Sequence, residues 1–176
     1  YWRGKTTQAD LYAVAKKLKQ RHWDIQVSAG MDPVTVGDFS LYDHVLDTLA
    51  MLGAVPERFA WDGRRIGLET YFHMARGDAD KGVPALEMTK WFDSNYHYMM
   101  PELSPDMSFT MTGTHMMADV LEVVKQGHSP KPVLLGPVTF LMLAKEVEGC
   151  DRWQHLEAVV GVYCDIISEL APHCAW

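Results

Sequence analysis

The chain has 176 residues, of which 48% are hydrophobic and 22% charged. That is the balance of one ordinary folded domain, or of part of a larger one, and it excludes global disorder. A net charge of −7 excludes the broad basic surface that nucleic acid requires, and no apolar run reaches the roughly 18 to 20 residues of a membrane span.

In chain order, Thr7 to Trp23 predicts a helix. Leu11, Val14, Ala15 and Leu18 fall at i, i+3, i+4 and i+7, and Thr7 with Asp10 makes a capping pair. Lys16, Lys17, Lys19 and Arg21 give that helix a solvated basic face. Gly30 and Pro33 end it, and Val34–Val36 predicts a short β-branched strand. Ser40 with Asp43 caps a second helix through Leu41, Val45, Leu49 and Leu52, stopped by Gly53. A loop with a turn at Asp62-Gly63 leads to a short helix over Leu68–Ala75, ended by Gly77. Leu86–Phe92 alternates as a strand does, with Leu86, Met88, Lys90 and Phe92 on one face. Ser104 to Thr114 reads as irregular. Met117, Val120, Leu121 and Val124 predict a helix ending at Gly127, and Val133–Leu135 a third strand. Leu156, Val159, Val160, Tyr163, Ile167 and Leu170 predict a last helix, stopped by Pro172. Strands alternating with helices imply parallel βα units.

The three cysteines, Cys150, Cys164 and Cys174, match no zinc or redox spacing and read as free thiols of a reducing compartment. The opening "YWRGKTTQ" lacks the apolar stretch of a signal peptide. The chain starts without methionine and stops just after a helical pattern, so the expectation is a fragment of something longer.

Each expected strand ends in unusual residues. Gly37-Asp38 follows the first. Lys90, Asp93, Asn95, Tyr96 and His97 crowd the end of the second. Gly136-Pro137-Val138-Thr139 follows the third. Ligands of parallel α/β folds bind at the carboxyl ends of strands. Each feature also has a plain structural reading: a strand-to-helix turn at Asp38, a rigid turn at Pro137, a hydrogen-bonded His97. Lys90 among apolar neighbours must snorkel, pair with a carboxylate, or await an anionic ligand. The histidines show no metal-ligand spacing, and no catalytic motif of known spacing occurs.

Three stretches, "RHWDIQVSAGMDPVTVGDFSLYDHVL", "EMTKWFDSNYHYMMPE" and "KPVLLGPVTFLMLAK", resemble successive signatures of cobalamin-independent methionine synthase, in its N-terminal domain and over nearly the whole chain. The resemblance implies an α/β fold, a partial (β/α)8 TIM-type barrel of parallel strands alternating with helices. Residues 1–176 would be part of the N-terminal barrel, with its first and later strands and the C-terminal barrel absent. It implies a cytoplasmic methyltransferase that moves a methyl group from 5-methyltetrahydropteroyltriglutamate to homocysteine, making methionine. Zinc would be bound in the C-terminal barrel, with no ligand here. Lys90 of "MTKWF" matches a folate-binding position of the family. An Arg-Glu-Leu-Lys stretch expected upstream of the opening Tyr1-Trp2, and a "QIDEP" strand expected downstream, are not in the sequence. Pro33 stands where the family more often has an aliphatic residue, which implies a local change at the strand start.

A polyglutamate tail carries several carboxylates, so an acidic chain needs local cations to hold it. Lys90 is the leading candidate, Asn95, Tyr96, His97 and Asp38 are further contacts, and Arg64, Arg65 and Arg76 are possible helpers. The fragment is expected to be inactive alone, with no catalytic residue, no metal, and no nucleic-acid or membrane partner. One alternative is a noncatalytic half-barrel that self-associates to cover its open edges. Another is an independent enzyme using Asp38 and His97 as acid and base.

Overall fold

A computed structural model describes residues 1–2, 4–112 and 115–174. Gly113 and Thr114, at the end of the expected irregular stretch, and the closing Ala175-Trp176 lie outside it. The described chain is mixed α/β and divides into two compact units. One comprises Tyr1–Leu41, His115–Val133 and Glu169–Trp176; the other comprises Tyr42–Thr114 and Leu134–Ser168. No helix among the described residues is long and apolar enough to cross a membrane.

The first unit is built on helix α1 (Gln8–Ser28), strand β1 (Val34–Val36), helix α4 (His115–Lys125) and strand β5 (Pro130–Pro132). Thr7 and Asp10 form the reciprocal cap expected from sequence, and α1 runs five residues beyond Trp23. Pro33 leads directly into β1. β1 and β5 pair in parallel, Val34 opposite Pro130. This third expected strand lies three residues earlier than Val133–Leu135. Its prolines are tolerated because Val34 N–H donates to the Ser129 carbonyl at 2.8 Å and Val133 N–H to that of Val36 at 3.0 Å. The alternation of a parallel ladder then turns the nitrogens of Pro130 and Pro132 away from β1.

The outer side of β1 is met by a side chain. The Gln26 amide accepts from Thr35 N–H at 2.7 Å and donates to Thr35 C=O at 3.1 Å. α1 and α4 are joined by a Lys19–Asp119 ion pair and by Gln20 and Gln126, which exchange hydrogen bonds at 3.0 and 2.7 Å. The basic face of α1 is therefore only partly solvated. Trp23, Val34, Val36, Val120 and Val123 are buried.

The second unit holds α2 (His44–Met51), a 3-10 turn (Glu57–Phe59), α3 (Leu68–Arg76), β2 (Met88–Lys90), β3 (His97–Met99), β4 (Glu102–Leu103), α5 (Pro137–Leu143), β6 (Lys145–Glu146), a second 3-10 turn (Arg152–His155) and α6 (Leu156–Leu170) through Ser168. The amphipathic pattern of α2 buries Val45, Leu46 and Leu49 completely, as its spacing requires. Asp43 alone caps it, without Ser40. β4 and β6 pair in parallel, while β2 and β3 pair antiparallel. The expected strand over Leu86–Phe92 is thus three residues long and one arm of a hairpin, outside any parallel βα unit. Gly136-Pro137, read as a turn after a strand, is instead the N-cap and first residue of α5, where the ring and missing N–H of proline suit the first helical turn. The described strands form three two-stranded sheets and no closed barrel.

Candidate functional site

The hairpin of β2 and β3 is closed by the six-residue loop Trp91 to Tyr96. Trp91 N–H donates to the Tyr96 carbonyl at 2.8 Å, and Met100 N–H to the Glu87 carbonyl at 2.8 Å. These bonds set the phase of the ladder. In the register Lys90 opposite His97, the intervening pair is of the non-hydrogen-bonded kind, with side chains on one face and Cβ atoms roughly 4.5–5.5 Å apart. Lys90 and His97 therefore stand side by side, and both are exposed. His97 Nδ1 donates to the Asn95 carbonyl at 3.0 Å, which leaves Nε2 to accept or, when the ring is protonated, to donate.

The loop is tightly made. The Ser94 hydroxyl donates to the Trp91 carbonyl and accepts from Tyr96 N–H. Phe92 takes a left-handed backbone, φ 49, and its side chain is 74% exposed. The Trp91 ring packs edge-on against Phe92 and Tyr98, with centroids 5.3 and 6.0 Å apart. The Glu87 carboxylate pairs with Lys145 of β6, so it is already neutralised beside the hairpin.

Two residues at the start of α2 hold this hairpin. Asp43, 2% exposed, accepts from Val45 and Leu46 N–H at 2.8 and 2.9 Å with one oxygen. Its other oxygen accepts from Met99 N–H at 3.0 Å, the outward-pointing amide of the next non-hydrogen-bonded position. Burial pushes the Asp43 carboxyl above its usual value, against the three amide bonds that lower it. His44 Nδ1 lies 2.9 Å from the Tyr96 hydroxyl, which also accepts from His44 N–H at 3.3 Å. The His44 ring stacks on Tyr96 (5.3 Å, 28°) and tilts against Trp91 (4.8 Å, 60°). Burial lowers the His44 pKa, with the Asp43 charge opposing, and burial raises that of Tyr96.

The hairpin brings together Lys90 and His97. Asn95 is exposed in the loop, its carbonyl orienting His97, while the Tyr96 hydroxyl is committed to His44. Lys90 lies between an exposed Met88 and an exposed Phe92, and the apolar neighbour that is buried is Leu86. Asp38 lies in the other unit, 2.7 Å from His22 Nδ1. Arg64 and Arg65 follow the Asp62-Gly63 turn, and Arg76 ends α3. His44 and Trp91 carry no site role in the sequence reading. One signal marks His44: a titratable cation at the first position of a helix, where the unpaired N–H groups disfavour positive charge.

Among the described residues, no three His, Cys, Asp or Glu side chains gather to hold a metal ion. The family described as cobalamin-independent synthase, N-terminal domain, matches residues 1–176. The chain is 51% identical over 178 residues to the 5-methyltetrahydropteroyltriglutamate–homocysteine methyltransferase of Syntrophotalea carbinolica, covering 100% of this chain and 24% of that protein. It is 45% identical over 179 residues to the protein of the same name from Salinibacter ruber, covering 97% of this chain and 23% of that one. The Cronobacter sakazakii protein of that name is 47% identical over 174 residues, with 97% and 23% covered. The chain thus spans about a quarter of the length of these curated relatives, and it belongs to the cobalamin-independent synthase family, as its N-terminal domain.

Proposed function

We propose that the chain serves a methyltransferase that moves a methyl group from 5-methyltetrahydropteroyltriglutamate to homocysteine, and that its hairpin holds the glutamate tail of the methyl donor. In that role the chain forms part of an N-terminal β/α barrel. The observation that carries the reading is the exposed Lys90–His97 pair, placed side by side by the hairpin register. The Lys90 ammonium suits a carboxylate, which is best held by a charge-assisted hydrogen bond, and the His97 ring stands beside it. The matching relatives carry the triglutamate in their names, and the chain's net charge of −7 makes such a local cation necessary.

The chain's own residues bind and orient. Lys90 supplies a positive charge, with the His97 ring beside it. Trp91 and Tyr96 stiffen the loop between them, and Asn95 sits within reach of tail amides. Holding one of two substrates in place is itself a contribution to rate. Zinc, which the resemblance places in the complete enzyme, finds no set of ligands among the described residues. The chain alone is expected to transfer no methyl group.

Calorimetric titration with methyltetrahydropteroyltriglutamate tests the reading. Lys90→Ala is expected to weaken binding roughly tenfold, the loss of about 1.4 kcal/mol that a charge-assisted bond supplies. Binding unchanged by Lys90→Ala would sink the role of the hairpin.

A further inference from the structure

Phe92 is costly to the fold in two ways. Its backbone is left-handed, φ 49, the region that favours glycine and strains a bulky residue. Its side chain is 74% exposed. A lone exposed apolar residue needs no explanation, and a left-handed residue can be the plain consequence of a turn. Here the two coincide, and neither serves the fold. Trp91 to Ser94 is a four-residue turn, with Ser94 N–H donating to the Trp91 carbonyl at 3.2 Å. Glycine, asparagine or aspartate would make such a turn with less strain. The other left-handed non-glycine among the described residues is Ala60, whose side chain is a single methyl group. The phenyl ring therefore serves a contact outside the fold.

That ring is held ready. Trp91 packs edge-on against it, 5.3 Å away and at 83°. Trp91 is itself packed on His44 and Tyr98, with centroids 4.8 and 6.0 Å away. The Ser94 hydroxyl, donating to the Trp91 carbonyl, locks the same turn. An aromatic already fixed in place loses little freedom when a ligand covers it. Charge then sets which way a ligand lies. Lys90 comes two residues before Phe92, at most about 7 Å of chain, and is exposed. Asp93 follows Phe92 and is also exposed. This order suits a molecule with an apolar ring at one end and carboxylates at the other, the ring on Phe92 and the carboxylates turned towards Lys90 and away from Asp93.

We propose that Phe92 is a specificity-determining residue that takes the aryl ring of the methyl donor, so that the hairpin distinguishes an aryl-linked polyglutamate from a bare one. The proposal rests on the tail-binding reading above and adds the group to which the tail is attached. In a pteroylglutamate the benzoyl carbonyl forms an amide with the first glutamate. An amide and one α-carbon separate the ring from the first carboxylate. Ring and carboxylate are thus neighbours in the ligand, as Phe92 and Lys90 are neighbours in the chain. The exposed phenyl offers that ring offset stacking, which contributes beyond the area it covers. Met88, on the same strand face as Lys90 and exposed, adds apolar surface for the methylenes of the glutamates.

Calorimetry with two ligands tests this: γ-linked triglutamate, and the same peptide carrying a p-aminobenzoyl group on its first nitrogen. The wild-type chain is expected to bind the second roughly tenfold more tightly, a difference of about 1.4 kcal/mol. Phe92→Gly relieves the backbone and removes the ring, so it should bind triglutamate as the parent does and lose the preference. Phe92→Tyr should keep it. Lys90→Ala should weaken both ligands alike. A preference that survives in Phe92→Gly would overturn the proposal. Loss of both ligands together in Phe92→Gly would assign the ring a structural role and overturn it too. Equal wild-type binding of the two ligands, weakened by Lys90→Ala, would overturn the aryl contact and leave the tail-binding reading standing. A preference abolished by Phe92→Gly, with binding untouched by Lys90→Ala, would uphold the aryl contact and sink the tail-binding reading. Binding of neither ligand would overturn both and leave the exposed ring to a protein surface.

Discussion

Asp43 shows how much one side chain can carry. It caps α2 and takes the outward amide of β3, and it does both while buried. Losing the cap costs about 0.5–2 kcal/mol, and a buried Met99 N–H left without acceptor costs about 1–3 kcal/mol more. Asp43→Ala is therefore expected to lower stability by about 2–4 kcal/mol in urea unfolding at neutral pH; a loss below about 1 kcal/mol would contradict the double role. Because burial raises its pKa, ionising Asp43 costs the fold. Its protonated form contributes stability that is fully present below about pH 3.8 and lost as pH rises through the folded value. Asp43→Asn should flatten that part of the pH profile. A cap at this point was legible in the sequence, though as a Ser40–Asp43 pair rather than Asp43 alone, because capping is a matter of a few neighbouring residues. The second bond was not, since its donor is 56 residues away. The same holds for His44, whose partner Tyr96 lies 52 residues on. Lys90 was legible for a different reason: a lysine in an apolar alternation is an anomaly that local pattern alone exposes.

Elements with a long period were legible, and short ones were not. α1, α2, α3, α4 and α6 all follow from apolar spacing with a glycine or proline near the end. α5 escaped because seven residues span barely two turns, and Gly136-Pro137 reads equally as a turn or a helix start. β3 escaped because three residues give no period. β5 was displaced because two prolines in three positions argue against a strand until the ladder phase is known. One joint between elements is sharply constrained. Gly37, just past β1, has φ +95, and a Cβ there would run into Met116 Cε and lie 2.8 Å from the Val133 carbonyl. The methionine can move, but the carbonyl belongs to the backbone leaving β5. Gly37→Ala is expected to cost about 2–4 kcal/mol from backbone strain and that contact together. Thermal unfolding checks it, and a melting point within a degree or so of the parent would refute the constraint.

Across the whole chain, strand pairing was the least readable property. Alternating strands and helices predicted parallel units, and β1 with β5 and β4 with β6 are parallel. The antiparallel β2–β3 pair is the exception, and it is the one that places Lys90 beside His97. Partner choice depends on residues far apart in sequence, so no local period encodes it. The two parallel pairs leave outer edges, and one of these has a guard. With both main-chain groups of Thr35 held by the Gln26 amide, β1 offers no open ladder to a strand of another molecule. The glutamine acts as a one-residue surrogate strand, giving the hydrogen bonds of a neighbour without the length on which a cross-β stack could grow. Gln26→Ala should expose that template. Light scattering during incubation at micromolar concentration is expected to rise severalfold over the parent chain, and indistinguishable traces would show that the edge needs no such protection.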